Sequence, residues 1–131
     1  MAGTIVADTL QNGAGTSTSM DNAIYGSAKA WVNFNGTTSS PSTIRASYNV
    51  TSVTKSGTGN YTVNFTNAMS DSNYTVSGTA RYTTSTNSMY LAIGDSGGGG
   101  TYSTSAVKVR SVSFSAGGDY DCDIVNVVIV R

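Results

Sequence analysis

Ser96 has the most suggestive surroundings in this chain. It stands in "GDSGGGG", residues 94 to 100, and a serine framed by an aspartate and glycines is one way to hold an acyl-transfer nucleophile on a sharp turn. Such chemistry needs a base, because a serine hydroxyl attacks a carbonyl at neutral pH only when a neighbouring group takes its proton. The chain contains no histidine. Lysine is the remaining choice, but Lys29, Lys55 and Lys108 stand in alternating, strand-like or polar surroundings. The consecutive glycines are therefore read as a loop between strands, and serine hydrolysis is set aside.

Aspartates are the second group able to do chemistry. "GGDYDCDIV" places Asp119, Asp121 and Asp123 two residues apart, on one strand face or around a turn. Clustered carboxylates with nearby carbonyls can hold calcium, but a helix-flanked calcium loop needs glycine at its sixth position and glutamate at its twelfth. Ile124 and Val130 occupy those places. Pairing with arginines such as Arg110 or Arg81 is the simpler reading. Two carboxylates could also flank a glycosidic bond, yet nothing in the sequence singles out a pair. The reading calls for no catalytic residue, no metal and no cofactor.

Composition points away from nucleic-acid binding and toward assembly. Seven basic residues balance seven acidic ones, every acid being aspartate, and nucleic-acid binding would need a basic surplus. So little charge suits a chain that spends its life inside an assembly. Cys122 is the one cysteine, so it has no internal disulfide partner and reads as a small buried hydrophobe. The N-terminal stretch has neither a basic segment nor a long apolar run, so neither a secretory signal nor membrane insertion is expected. Sequons at Asn35, Asn49, Asn60, Asn64 and Asn73 are what a chain rich in Asn, Ser and Thr contains by chance.

The positioning elements are strands. Leucine occurs only at positions 10 and 91, whereas Thr, Val, Tyr and Ile are plentiful and favour extended backbone. Alternation puts Ala28, Ala30, Val32 and Phe34 on one face, then Ile44, Ala46, Tyr48 and Val50, then Tyr61, Val63 and Phe65. Tyr74, Val76, Gly78, Ala80 and Tyr82 continue the series, and Tyr90 to Ile93 form a short strand. "KSGTGN" has the composition of a hairpin loop. In "AVKVRSVSF" the apolar set switches from Val107 and Val109 to Val112 and Phe114, which predicts a bulge near Arg110. The last strand, "CDIVNVVIVR", is apolar on both faces: it is either central and covered on both sides, or it offers Val125, Val127 and Ile129 to another subunit.

This pattern predicts an all-β fold, an antiparallel β-sandwich or jelly-roll-like domain of seven or eight strands over residues 26–131. Residues 1–25 are small and polar and read as an extended N-terminal attachment arm in which "TIVADTLQ" could form a strand. Trp31 and the eight tyrosines could stack on sugar rings, or pack in a core or interface. Loops 37–43 and 94–104 are the expected exposed tips, with Ser39, Ser40, Ser96 and Tyr102 as candidate receptor contacts.

Two segments carry more than composition. "NGAGTSTSMDNAIYGSAKAWVNFNG", residues 12–36, and "IRASYNVTSVTKSGTGNYTVNFTNAMSDSNYTVSG", residues 44–78, resemble a module of tail-fibre and other virion structural proteins of tailed bacteriophages, notably those of marine bacteria and cyanobacteria. The resemblance covers about half the chain and implies a compact, non-enzymatic β-domain on a virion, often a homotrimer and often at a fibre end. It implies synthesis in the host cytoplasm, contacts with other virion proteins through the arm, and attachment to a host-surface glycan or protein. It transfers no binding residue. "TTSSPST", residues 37–43, departs from the module's usual connection, and only some 25 residues precede the β-domain. That second departure raises an alternative, a capsid decoration or head-fibre protein.

Overall fold

The computed structural model describes residues 3, 6–19, 23, 26–83, 88–97 and 102–131. Its strands are β1 (Thr9–Gln11), β2 (Ser17–Ser19), β3 (Ala28–Asn35), β4 (Thr43–Tyr48), β5 (Val50–Gly57), β6 (Asn60–Phe65), β7 (Thr75–Arg81), β8 (Met89–Ile93), β9 (Ala106–Ser113) and β10 (Ile124–Val130). Eight of them form two four-stranded antiparallel sheets ordered β4-β3-β10-β7 and β5-β6-β9-β8. The protein is an all-β sandwich, as the alternation predicts. β7, β8 and β9 follow one another and β10 returns to lie beside β7, which is Greek-key connectivity.

The core is where period-two alternation turns inward from both sheets. Ala30, Val32 and Phe34 of β3 and Tyr61 and Val63 of β6 are buried as read from the sequence. Phe34 meets Tyr61 edge to face, with ring centroids 5.0 Å apart, the arrangement aromatic quadrupoles prefer. Val125, Val127 and Ile129 belong to this core too. They cannot be the subunit contact that a doubly apolar strand suggests, because β10 is central and its inward face fills the space between the sheets. The face of β10 turned outward is Ile124, Asn126, Val128 and Val130, all half-buried.

Two corrections to the alternation come from the backbone. Ile44, Ala46, Tyr48 and Val50 do not share a face: Ile44 packs on the core and Val50 is buried, but Ala46 and Tyr48 are exposed. The register between β3 and β4 shifts at Asn33/Phe34, and Asn49 then takes a left-handed φ of 54°, a conformation Asn tolerates because its short amide can bond locally. Its side chain donates to Lys29 O and Asn67 O and accepts from Asn67 N. Asn49 is thus the corner at which the chain leaves one sheet and enters the other.

β9 carries no bulge. Its pairing with β6 and β8 runs without a register shift through Ser113, and after Val107 and Val109 the buried positions are Ser111, Val112 and Ser113 in succession. Hydroxyls sit there without penalty because both are bonded: Ser111 Oγ donates to Tyr120 O, and Ser113 Oγ accepts from Ala116 N. Phe114, read as inward, is 81% exposed.

The polar N-terminal stretch contains a hairpin. β1 pairs β2 antiparallel, Thr9 opposite Ser19, and a turn over Asn12 to Gly15 joins them. Asn12 Oδ1 accepts from Ala14 N and Thr16 N, which fixes the turn. Both strands are exposed almost throughout. The rest of the arm reading, at residues 1, 2, 4, 5, 20–22, 24 and 25, lies outside the described residues.

Candidate functional site

Ser96 lies on a loop that folds back over the outer side of the β5-β6-β9-β8 sheet. Its N–H donates to Asn60 Oδ1 at 3.1 Å. The preceding Asp95 accepts from Gly97 N at 3.0 Å and from Lys108 Nζ at 2.6 Å. These bonds frame a polar pocket of about 310 Å³ between the loop and the β5–β6 hairpin. Two Ser-x-x-Lys spacings, Ser52/Lys55 and Ser105/Lys108, escape a reading centred on Ser96. Both ammonium groups are held by carboxylates, Lys55 by Asp121 and Lys108 by Asp95, each at 2.6 Å. Gly98, Gly99, Gly100 and Thr101 of the glycine-rich loop lie outside the described residues.

The three aspartates spaced by two do not converge. Asp119 accepts from Asn60 Nδ2 at 2.8 Å and faces Arg110 at 3.4 Å. Asp121 accepts from Lys55, from Gly59 N at 2.8 Å and from Tyr61 Oη at 3.4 Å. Asp123 accepts from Thr83 N at 2.9 Å, and hydrogen bonding from Thr83 holds its carboxyl below the usual carboxylate range. Among the described residues no group of three His, Cys, Asp or Glu is placed to hold a metal ion. Pairing with Arg110 holds for Asp119; Lys55 is the partner that sequence separation conceals, 66 residues from Asp121.

Asp121 therefore ties the 119–123 loop to the β5–β6 hairpin. Replacing it with alanine leaves the largely buried Lys55 ammonium and the Gly59 amide without their acceptor. The expected loss is about 2 kcal/mol, below the value for a fully buried pair because Asp121 is about one-third exposed. Urea unfolding of Asp121→Ala beside Asp121→Asn checks this, since the amide retains the acceptor for Gly59 and should recover part of the loss. A wild-type melting point that rises with added calcium would instead mark the loop as a cation site.

The candidate receptor residues are scattered. Ser39 and Ser40 are exposed, but their loop runs along edge strand β5: Lys55 N donates to Ser40 Oγ and Ser42 N to Val53 O. This covers the β5 edge against pairing with another chain. Tyr102 bridges to Val107 and leans on Tyr74 at 5.0 Å. Tyr74 Oη donates to Ser103 O at 2.9 Å. No described pocket joins Ser39 or Ser40 to Ser96 or Tyr102.

One surface does gather recognition chemistry, around Trp31, for which the sequence left sugar stacking and packing open, and Tyr48, which alternation placed on a face with Ile44 and Val50. On the outer face of the β4-β3-β10-β7 sheet, Trp31 is 39% exposed and its cross-strand partner Tyr48 58% exposed. Val128 pairs Trp31 from the other side. One row along, Asn33 Nδ2 donates to Asn126 Oδ1 at 2.5 Å and Asn126 Nδ2 donates to Thr79 Oγ1 at 3.1 Å. Arg45 Nη1 reaches Asn33 Oδ1 at 3.5 Å and its Nη2 donates to Asp123 O at 2.6 Å. A groove of about 420 Å³ runs beside Trp31 and over this row. An apolar ring next to a line of amides and a hydroxyl is the composition of a small-ligand surface, with the polar groups setting orientation.

No family model, no curated protein and no solved structure matches the chain.

Proposed function

We propose that the chain is a non-enzymatic structural protein of a bacteriophage particle, a fibre or fibre-tip domain that assembles as a homotrimer and meets the host surface. The observation that carries the reading is the N-terminal hairpin. β1 and β2 are exposed along almost their whole length, with Leu10 48% exposed, and an isolated two-stranded hairpin is at best marginally stable in water. A hairpin of this kind is completed by a partner. The sandwich beyond it supports display: its carboxylates at 95, 119, 121 and 123 serve as hydrogen-bond and ion-pair acceptors within the fold. The resemblance of residues 12–36 and 44–78 to phage virion modules supplies the kind of particle.

Deleting residues 2–25 should abolish incorporation while leaving the sandwich folded by circular dichroism. Immunogold labelling of intact virions reads the result. Label at tail or fibre ends is the expected outcome; label spread over the head would assign the chain to capsid decoration instead. Absence of label from virions, or full incorporation of the deletion variant, would overturn the arm's role.

A further inference from the structure

We propose that the outer face of the β4-β3-β10-β7 sheet binds an acidic glycan, a polysaccharide whose sugars carry carboxylates, with Trp31 as the stacking platform and the Asn33–Asn126–Thr79 row as the hydroxyl reader. This deepens the display reading and rests on it for where the glycan is met.

The argument begins with the ring. Trp31 projects from central strand β3, held between its cross-strand neighbours Tyr48 and Val128. An indole face carries the negative lobe of its quadrupole and attracts the C–H face of a pyranose, whose hydrogens are slightly positive. The apolar floor is narrow, and amides border it two residues away along β3 and β10, roughly 7 Å at strand rise. Each Asn amide has two N–H donors and an oxygen with two lone pairs. The ladder engages the facing members of these groups and lines the amides up across the sheet. The remaining donor and acceptor capacity suits a ligand that offers hydroxyls at regular intervals.

Charge selects among glycans. The four ion pairs among the described residues use Lys55, Lys108, Arg110 and Arg131. Arg45 and Arg81 take no part in them. Both stand at the end of this face near Asp123, Arg81 opposite Ile124 in register and Arg45 donating to Asp123 O. The strands of the sheet, β3, β4, β7 and β10, contribute no carboxylate; Asp123, just before β10, is within electrostatic reach of Arg81, so at this end two guanidinium groups stand against one carboxylate. Guanidinium groups offer paired N–H donors to a carboxylate, so the face complements a polymer that is hydroxylated and anionic.

Calorimetric titration of the full chain with oligomers of polygalacturonate, alginate and hyaluronan, against dextran fragments of equal length, tests the inference. At least one acidic oligomer should bind more tightly than dextran and lose affinity as salt rises. Trp31→Ala should weaken that binding at least tenfold, and Tyr48→Ala several-fold. Arg45→Gln with Arg81→Gln should flatten the salt dependence, whereas Ser96→Ala should change nothing. No binding to any acidic oligomer, equal binding to dextran, or an unchanged affinity in both aromatic variants would overturn it. So would a wild-type oligomer, measured by sedimentation, that Trp31→Ala dissociates, because the face would then be buried between copies. Normal incorporation of a chain that binds no acidic oligomer would defeat this inference and leave the virion reading standing; binding by a chain absent from virions would do the reverse.

Discussion

Tyr61→Ala is expected to cost about 3–5 kcal/mol, the range for removing a buried aromatic ring, and so to leave much of the chain unfolded if its stability is typical of a domain. Tyr61 is buried at the middle of the sandwich, edge-on to Phe34. Its phenol donates to Gly36 O at 3.2 Å, and burial raises its pKa above the ordinary tyrosine value. The fit is close enough that a Cβ on Gly36 would lie 2.2 Å from the Tyr61 oxygen. Tyr61→Phe separates the two contributions: it keeps the ring and removes the hydroxyl, so about 1 kcal/mol should be lost. Urea midpoints of the two variants decide it, and equal losses would show that the hydroxyl, not the ring, dominates.

Gly78→Ala should be nearly as damaging, about 3 kcal/mol or more, at the top of the range for overpacking. A Cβ there would stand 2.1 Å from Asn126 O and 2.5 Å from Leu91 Cδ2. The leucine belongs to β8 in the opposite sheet, so Gly78 marks where β7 and β8 close the side of the sandwich. A side-chain tip can move, but a carbonyl in the β7–β10 ladder cannot move without loss of hydrogen bonds. Gly78→Ala combined with Leu91→Ala should therefore recover little of the stability. Full recovery in the double variant would show that crowding by the leucine alone requires glycine at this place.

These two residues show how far the sequence reaches. Alternation places Tyr61 with Val63 and Phe65, and Gly78 with Val76 and Ala80, and the structure puts both on the inward side of their strands. Alternation does not distinguish a glycine that merely lacks a side chain from one whose missing Cβ admits a neighbouring backbone. That depends on Asn126 and Leu91, distant in sequence. The aspartates behave likewise: their spacing suggested a shared task, but lysine, arginine and amide partners from other elements separate them.

Period-two apolar patterning, scarce helix formers and clustered turn residues determined from the sequence alone that this chain is all-β, because strand propensity and alternation are local properties; the two-sheet sandwich is a tertiary outcome. They also determined most of the core membership of β3 and β6. Only the tertiary structure decided which face of each strand meets the other sheet, since alternation names two sets without saying which is inside. The register shift at Arg45 turns Ala46 and Tyr48 outward, the left-handed Asn49 sends Val50 into the other sheet, bonded hydroxyls bring Ser111 and Ser113 inside, and the central place of β10 commits Val125, Val127 and Ile129 to the core. The same decision left Trp31, Asn33, Asn126 and Thr79 on one outer surface, drawn from three strands that become neighbours only when the sheet forms.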